Sequence, residues 1–158
     1  MADARFEDAD EGPLHLVALD GEDLRVIAAL TQDAVFPITE ISWNPKRRRL
    51  ALLINRFRWE DREAADRAGR PYERVQALLW VEDVLKVRSQ GIDRAAKETV
   101  LSLLDIEWAE GAEGAGVVTF VLAGDGAIAM EVEALEVALR DVTRPYIAPS
   151  HQAPSHPE

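Results

Sequence analysis

The chain has 158 residues, of which 47% are hydrophobic, so it is long enough to bury its own core and reads as one domain. It contains no cysteine, which excludes a disulfide framework, thiolate nucleophiles and cysteine-held metal clusters. Asp and Glu number 29 against 18 Lys and Arg, and the formal charge of -11 repels phosphate backbones and anionic headgroups, so neither nucleic acid nor membrane is expected as a partner.

The opening stretch MADARFEDADEGPLH is acidic and lacks the basic start and apolar run of a signal peptide, and no apolar stretch approaches bilayer length, which points to the cytoplasm. Residues 1–12 are expected to form a mobile acidic arm and residues 147–158 a mobile tail rich in Pro, His and Ser, leaving a single domain over residues 13–146. Leu14 to Leu19 is a short apolar run closed by Asp20-Gly21 and reads as a buried first strand. A helix follows, with Asp20 as N-cap, Glu22 and Asp23 at its positive end, and Leu24, Ile27, Ala28 and Thr31 as a one-sided stripe bounded by Pro37.

After Pro37 the hydrophobic period becomes two. Ile38 to Trp43 and Arg49 to Trp59 read as a hairpin whose turn, Asn44-Pro45-Lys46-Arg47, has its dihedral preset by Pro45. Glu60 to Pro71 is a charged surface excursion with room for one helical turn. The run from Arg74 to Arg88 reads as one long strand bent at Glu82-Asp83, with two short strands as the alternative. Thr99 to Trp108 alternates Leu104, Ile106 and Trp108 with Asp105 and Glu107. Val117 to Leu122 and Ala127 to Val132 flank Gly124-Asp125-Gly126, a hairpin turn that needs positive φ. Leu135, Ala138, Leu139 and Val142 then recur at helical spacing, and Thr143-Arg144-Pro145 ends the run, which predicts a closing amphipathic helix.

The expected fold class is therefore α+β: an antiparallel sheet of about seven strands in meander order, with one helix after the first strand and a C-terminal capping helix. A barrel of the pleckstrin-homology type fits that order, the last helix plugging an open end, and an open antiparallel sheet with helices on one face fits nearly as well.

The stretches DGEDLRVIAALTQDAVFPITEISWNPKRRRLALLINRFRWE, WVEDVLKVRSQGI and GDGAIAMEVEALEVALRDV together resemble a family of uncharacterised proteins from alphaproteobacteria. The resemblance runs from Pro13 to about Pro145. It implies a bacterial origin and carries no assigned activity.

No group of residues assembles as a catalytic or metal motif, so no catalytic residue, metal or cofactor is assigned. Of the three histidines, His15 sits in the first strand opposite Leu14 and Leu16 and reads as a solvated side chain, while His151 and His156 lie in the tail without fixed geometry. Asp105 and Glu107 share a strand face and read as its wet side in preference to an acid/base pair. The acidic run Glu7 to Gly12 lacks the alternating ligands and distal glutamate of a calcium loop. No phosphate-cradling glycine loop or nucleophile elbow is present. The tryptophans at 43, 59, 80 and 108 all fall in predicted strands and are expected in core or cross-strand packing, Trp59 being the one at a strand end where it can be half exposed.

The feature that stands against the acidic background is basic: Lys46 to Arg49 at a hairpin, then Arg56 and Arg58 interleaved with Phe57 and Trp59. One reading is that these side chains solubilise the hairpin and neutralise Glu60, Asp61 and Glu63. The functional reading is an Arg-aromatic surface that grips an acidic protein segment, with Arg47, Arg48, Arg56, Arg58 and Trp59 as partner-binding residues. The function expected from the sequence is a non-enzymatic protein-binding or scaffolding domain that uses a sheet edge or this strand. The alternatives are an enzyme or small-ligand protein whose Arg and acidic residues converge only in three dimensions, and a subunit that stabilises a homo-oligomer.

Overall fold

The structure is a computed structural model and describes residues 13–147 and 153–154. The acidic arm and nearly all of the Pro/His/Ser tail, His151 and His156 included, lie outside the described residues. In chain order the strands are β1 (His15–Ala18), β2 (Val35–Pro37), β3 (Ile41–Asn44), β4 (Arg49–Phe57), β5 (Glu73–Val81), β6 (Val84–Gln90), β7 (Val100–Glu110), β8 (Gly116–Leu122), β9 (Ala127–Val132), β10 (Val137–Asp141) and β11 (Tyr146–Ile147). Two α-helices accompany them among the described residues: α1 (Gly21–Thr31) and α2 (Arg62–Ala68).

All pairing is antiparallel, and the 11-stranded sheet runs β1-β10-β5-β4-β2-β7-β8-β9-β6, with β3 added beside β4 and β11 beside β5. The last strand of that path curls back toward the middle: the Val84 N–H at the start of β6 donates to the Arg48 carbonyl just before β4, at 2.8 Å. Contact is made there and ladder pairing is not, so the sheet is not closed into a barrel. The concave face holds one core, in which Leu52 and Ile54 of β4, Leu79 of β5, Ile106 of β7 and Phe120 of β8 are all at or near zero exposure. Helix α1 packs on it through Leu24, Ile27, Ala28, Leu30 and Thr31, and Asp20 caps its N-terminus by accepting the Asp23 N–H at 2.8 Å.

Several expectations are corrected. The segment expected to be the closing helix is β10, a central strand paired with β1 on one side and β5 on the other. Val137, Ala138 and Leu139 are all buried, and a strand covered on both faces reads as an unbroken apolar run whose spacing also satisfies a helical stripe. The bent strand is two strands: at Asp83 the backbone turns to φ 56°, and β5 and β6 belong to different parts of the sheet. A short strand, β2, lies between the helix and Pro37, and Ile38–Glu40 is a 3-10 turn before β3. In β7 a register irregularity between Leu103 and Asp105 puts Leu103 with Ile106 into the core and leaves Leu104 half-buried. Among the described residues the count is therefore 11 strands, well above seven.

The Gly124-Asp125-Gly126 turn lies where its chemistry placed it. Gly124 and Asp125 have φ of 76° and 65° between β8 and β9, and in the excursion before β5 Gly69 ends α2 at φ 65°. A further glycine is fixed by packing: a Cβ on Gly116 would stand 2.3 Å from the Ala109 carbonyl oxygen and 2.6 Å from the Trp108 ring. Gly116→Ala is expected to cost about 1–3 kcal/mol in urea denaturation, since β7 and β8 must part to admit the methyl. An unchanged midpoint would show that the hairpin end yields freely.

Candidate functional site

The Arg-aromatic strand folds differently from what its spacing promises a partner. In β4 the side chains alternate between core and outer face until Arg56, which is 0% exposed. Its Nε and Nη2 donate to the two Asp141 carboxylate oxygens at 3.0 and 2.9 Å, and its Nη1 and Nη2 donate to those of Glu60 at 2.9 and 2.7 Å. Arg58 is 9% exposed and donates to Glu73 at 2.6 Å, with Asp61 at 3.6 Å and Glu60 at 3.8 Å. Arg70 completes the group with a bidentate pair to Asp61, both distances 2.7 Å. These contacts clasp the 3-10 turn Trp59–Asp61 and the end of β10 to β4. Arg56 and Arg58 are thus committed to carboxylates of the same chain, as buried guanidinium groups must be.

The electrostatics follow. Burial disfavours the Arg56 charge, but the hydrogen bonds to Glu60 and Asp141 outweigh it and raise its pKa. Burial likewise pushes Glu60 up, and the Arg56 hydrogen bond and charge bring it below the usual carboxylate range. The Arg70 hydrogen bond holds Asp61 low against partial burial, with the Arg58 charge assisting. A carboxyl lowered in the fold stabilises it above the ordinary carboxylate pKa, near 4, and that stabilisation is lost as pH falls through the lowered folded value. The melting temperature should therefore hold from about pH 8 to 5 and drop below about pH 4, and less steeply in a Glu60→Gln/Asp61→Asn variant. Parallel profiles for the two proteins would remove these carboxylates as the cause.

The other predicted residues are spread out. Arg47 is exposed on the β3–β4 turn, where Asn44 accepts its backbone N–H at 3.2 Å. Arg48, at φ 55°, pairs with Glu133, and Arg49 with Glu82 at 2.5 Å. Trp59 is half-buried: its indole N–H donates to the Gln32 carbonyl at 3.0 Å and its ring stands edge-on to Phe57 at 4.7 Å. The structure brings Arg56, Arg58 and Trp59 into one clasp, and leaves Arg47 and Lys46 as the exposed cations of the hairpin tip. His15 is exposed and stacks obliquely with Trp80 at 6.4 Å, while Asp105 pairs with Arg25 at 3.2 Å and Glu107 is exposed. Among the described residues no group of three or more His, Asp or Glu is placed to hold a metal ion.

A different site appears where the sheet fails to close. Near the Arg48–Val84 junction lies a cleft of about 520 Å³ lined by residues of both β3 and β6. Ile41 and Trp43 of β3 and Val87 and Ser89 of β6 form its walls, and Leu50 and Ile128 belong to its apolar floor. The loop from β6 to β7 crosses its mouth, contributing Ile92 and two exposed cations, Arg94 and Lys97. Trp43, expected in core or cross-strand packing, lies across from Leu50 of β4 and is 36% exposed here. Among the described residues β3 pairs only with β4, and β6 only with β9, so one edge of each strand carries no ladder. The sequence did hold a signal for this site: residues 84–97 carry Lys86, Arg88, Arg94 and Lys97 against Asp93 alone, in a chain of net charge -11. That signal was overshadowed by the denser run at Lys46–Arg49.

No helix of the described residues is long and apolar enough to cross a membrane. Fold and cleft define an α+β domain built on an open antiparallel sheet with an apolar, cation-rimmed slot between two sheet edges. The chain belongs to the family described as protein of unknown function (DUF2948), whose family model matches residues 14–156. No curated protein matches the chain, and no solved structure does.

Proposed function

We propose that the protein is a non-enzymatic, cytoplasmic binding module whose site is the β3–β6 cleft and whose partner offers an anionic, partly apolar segment. The observation that carries this reading is a chemically two-part cleft. Its walls and floor are apolar, with Trp43 as a rigid anchor of the kind that dominates recognition energies, and its mouth holds Arg94 and Lys97 on an otherwise acidic protein. The exposed Lys46 and Arg47 at the neighbouring hairpin tip extend the cationic rim, so the acidic segment expected from the sequence remains the partner while the contact surface moves. Among the described residues the cleft lining has Thr39, Ser89, Arg94 and Lys97 as its polar members and no carboxylate or imidazole to serve as a general base, which favours binding over catalysis.

The test is calorimetric titration of the full chain with short peptides of equal length and graded net charge. Acidic, apolar-containing peptides should bind, more weakly as salt is raised, since exposed charges are screened within about 10 Å at 0.1 M ionic strength. An Arg94→Glu/Lys97→Glu variant should lose that binding with its melting temperature unchanged, because exposed charges contribute little stability. Equal affinity for basic and acidic peptides, or indifference to the double reversal, would reject the reading.

A further inference from the structure

We infer that the occupant of the cleft is an extended chain with alternating apolar and acidic residues, which adds a strand between β6 and β3. This rests on the cleft being the binding site and concerns what that site accepts. Side-chain direction along both edges carries the argument. On β6, Val87 and Ser89 lie opposite Met130 and Ile128 of β9, two buried core residues, so they face inward, while Lys86 and Arg88 lie opposite Glu131 and Ala129 and face outward. On β3, Ile41 and Trp43 lie opposite the buried Leu52 and Leu50 of β4 and face inward, and Ser42, opposite Ala51, faces outward.

A strand laid against these edges has its own alternation imposed on it. Its inward residues meet Ile41, Trp43, Val87 and the floor, where an apolar side chain is favoured and a charge is costly. Its outward residues stand beside Lys86 and Arg88, with Arg94 and Lys97 at the mouth, where Asp or Glu is favoured. The backbone groups along β3 and β6 that carry no ladder supply main-chain hydrogen bonds, the source of affinity when a peptide extends a sheet. A free fatty carboxylate would use the apolar floor and one cation, but neither the strand edges nor Lys86 and Arg88.

Three probes separate these cases: a capped peptide alternating Val and Glu, a peptide of the same composition with its Val and Glu residues in two blocks, and dodecanoate. Each is titrated into the full chain, with amide hydrogen exchange followed by NMR. The alternating peptide should bind and slow exchange along Ile41–Trp43 and Val87–Ser89, and the blocked peptide should bind at least tenfold more weakly, about the worth of a register that places charge on the floor. Lys86→Glu/Arg88→Glu, on the outer face, should weaken the alternating peptide about tenfold and leave dodecanoate unaffected, because opposite-charge cross-strand pairs become like-charge pairs. The exchange footprint on the unaltered chain stands even if that variant folds poorly. Binding of dodecanoate without the alternating peptide, equal binding of both peptides, or binding without protection of the two edges overturns the inference while leaving the cleft as the site. Failure of all three probes overturns the inference and the site together.

Discussion

Replacing Arg56 by Ala should destabilise the protein by about 3–5 kcal/mol, because the change removes a fully buried guanidinium and leaves the Glu60 and Asp141 carboxylates facing each other without it. Glu60 is 1% exposed and Asp141 7% exposed at the side chain, so water cannot take over the lost hydrogen bonds without opening the clasp. For a chain of this size the loss corresponds to a fall in melting temperature of about 6–20 °C. Arg56→Lys should recover little, since one ammonium cannot serve two carboxylates in the planar, bidentate arrangement that the guanidinium occupies. Urea denaturation monitored by tryptophan fluorescence measures the effect. A loss below about 1 kcal/mol would show that the clasp is a surface ornament and would return Arg56 to the list of residues free for a partner.

The second expected result concerns β10, the strand next to last in the chain. A chain ending at Glu136 should show no cooperative thermal transition, because deleting β10 strips both β1 and β5 of a neighbour and uncovers the core beneath Val137 and Leu139. The milder variant Leu139→Ala should fold and lose about 2–5 kcal/mol, the range for truncating a large aliphatic side chain in a packed core. A terminal helix lying on the surface would behave otherwise: removing it would lower stability while leaving the sheet folded. Near-ultraviolet circular dichroism of the truncated chain decides between the two, and a native-like spectrum would contradict the placement of β10 between β1 and β5.

Much of the local structure was legible because it is set by local chemistry. Asp20 caps α1 since its carboxylate reaches an amide three residues on, and the buried stripe Leu24, Ile27, Ala28 and Thr31 is a matter of helical period. The Gly124-Asp125-Gly126 hairpin followed from residues that accept positive φ, and they placed β8 and β9 on either side of it. The exclusion of thiol chemistry belongs to the same level, because that chemistry needs a residue that the chain does not contain.

What the sequence by itself determined, then, is the antiparallel, α+β character of the chain, the identity of its first helix and the turns that separate most of its strands. Its tertiary structure alone decided three further matters. It made Val137–Asp141 a strand, since burial on both faces erases the alternation that distinguishes strand from helix. It turned Arg56 and Arg58 from a surface into a clasp: their pairing with Glu60 and Asp61 was legible as local charge neutralisation, but Asp141 and Glu73 are brought to them only by the folding of the sheet. And it produced the β3–β6 cleft, because the curl of the sheet brings Val84 to Arg48 without continuing the ladder, and neither edge carries any mark in its own residues of what it will fail to pair with.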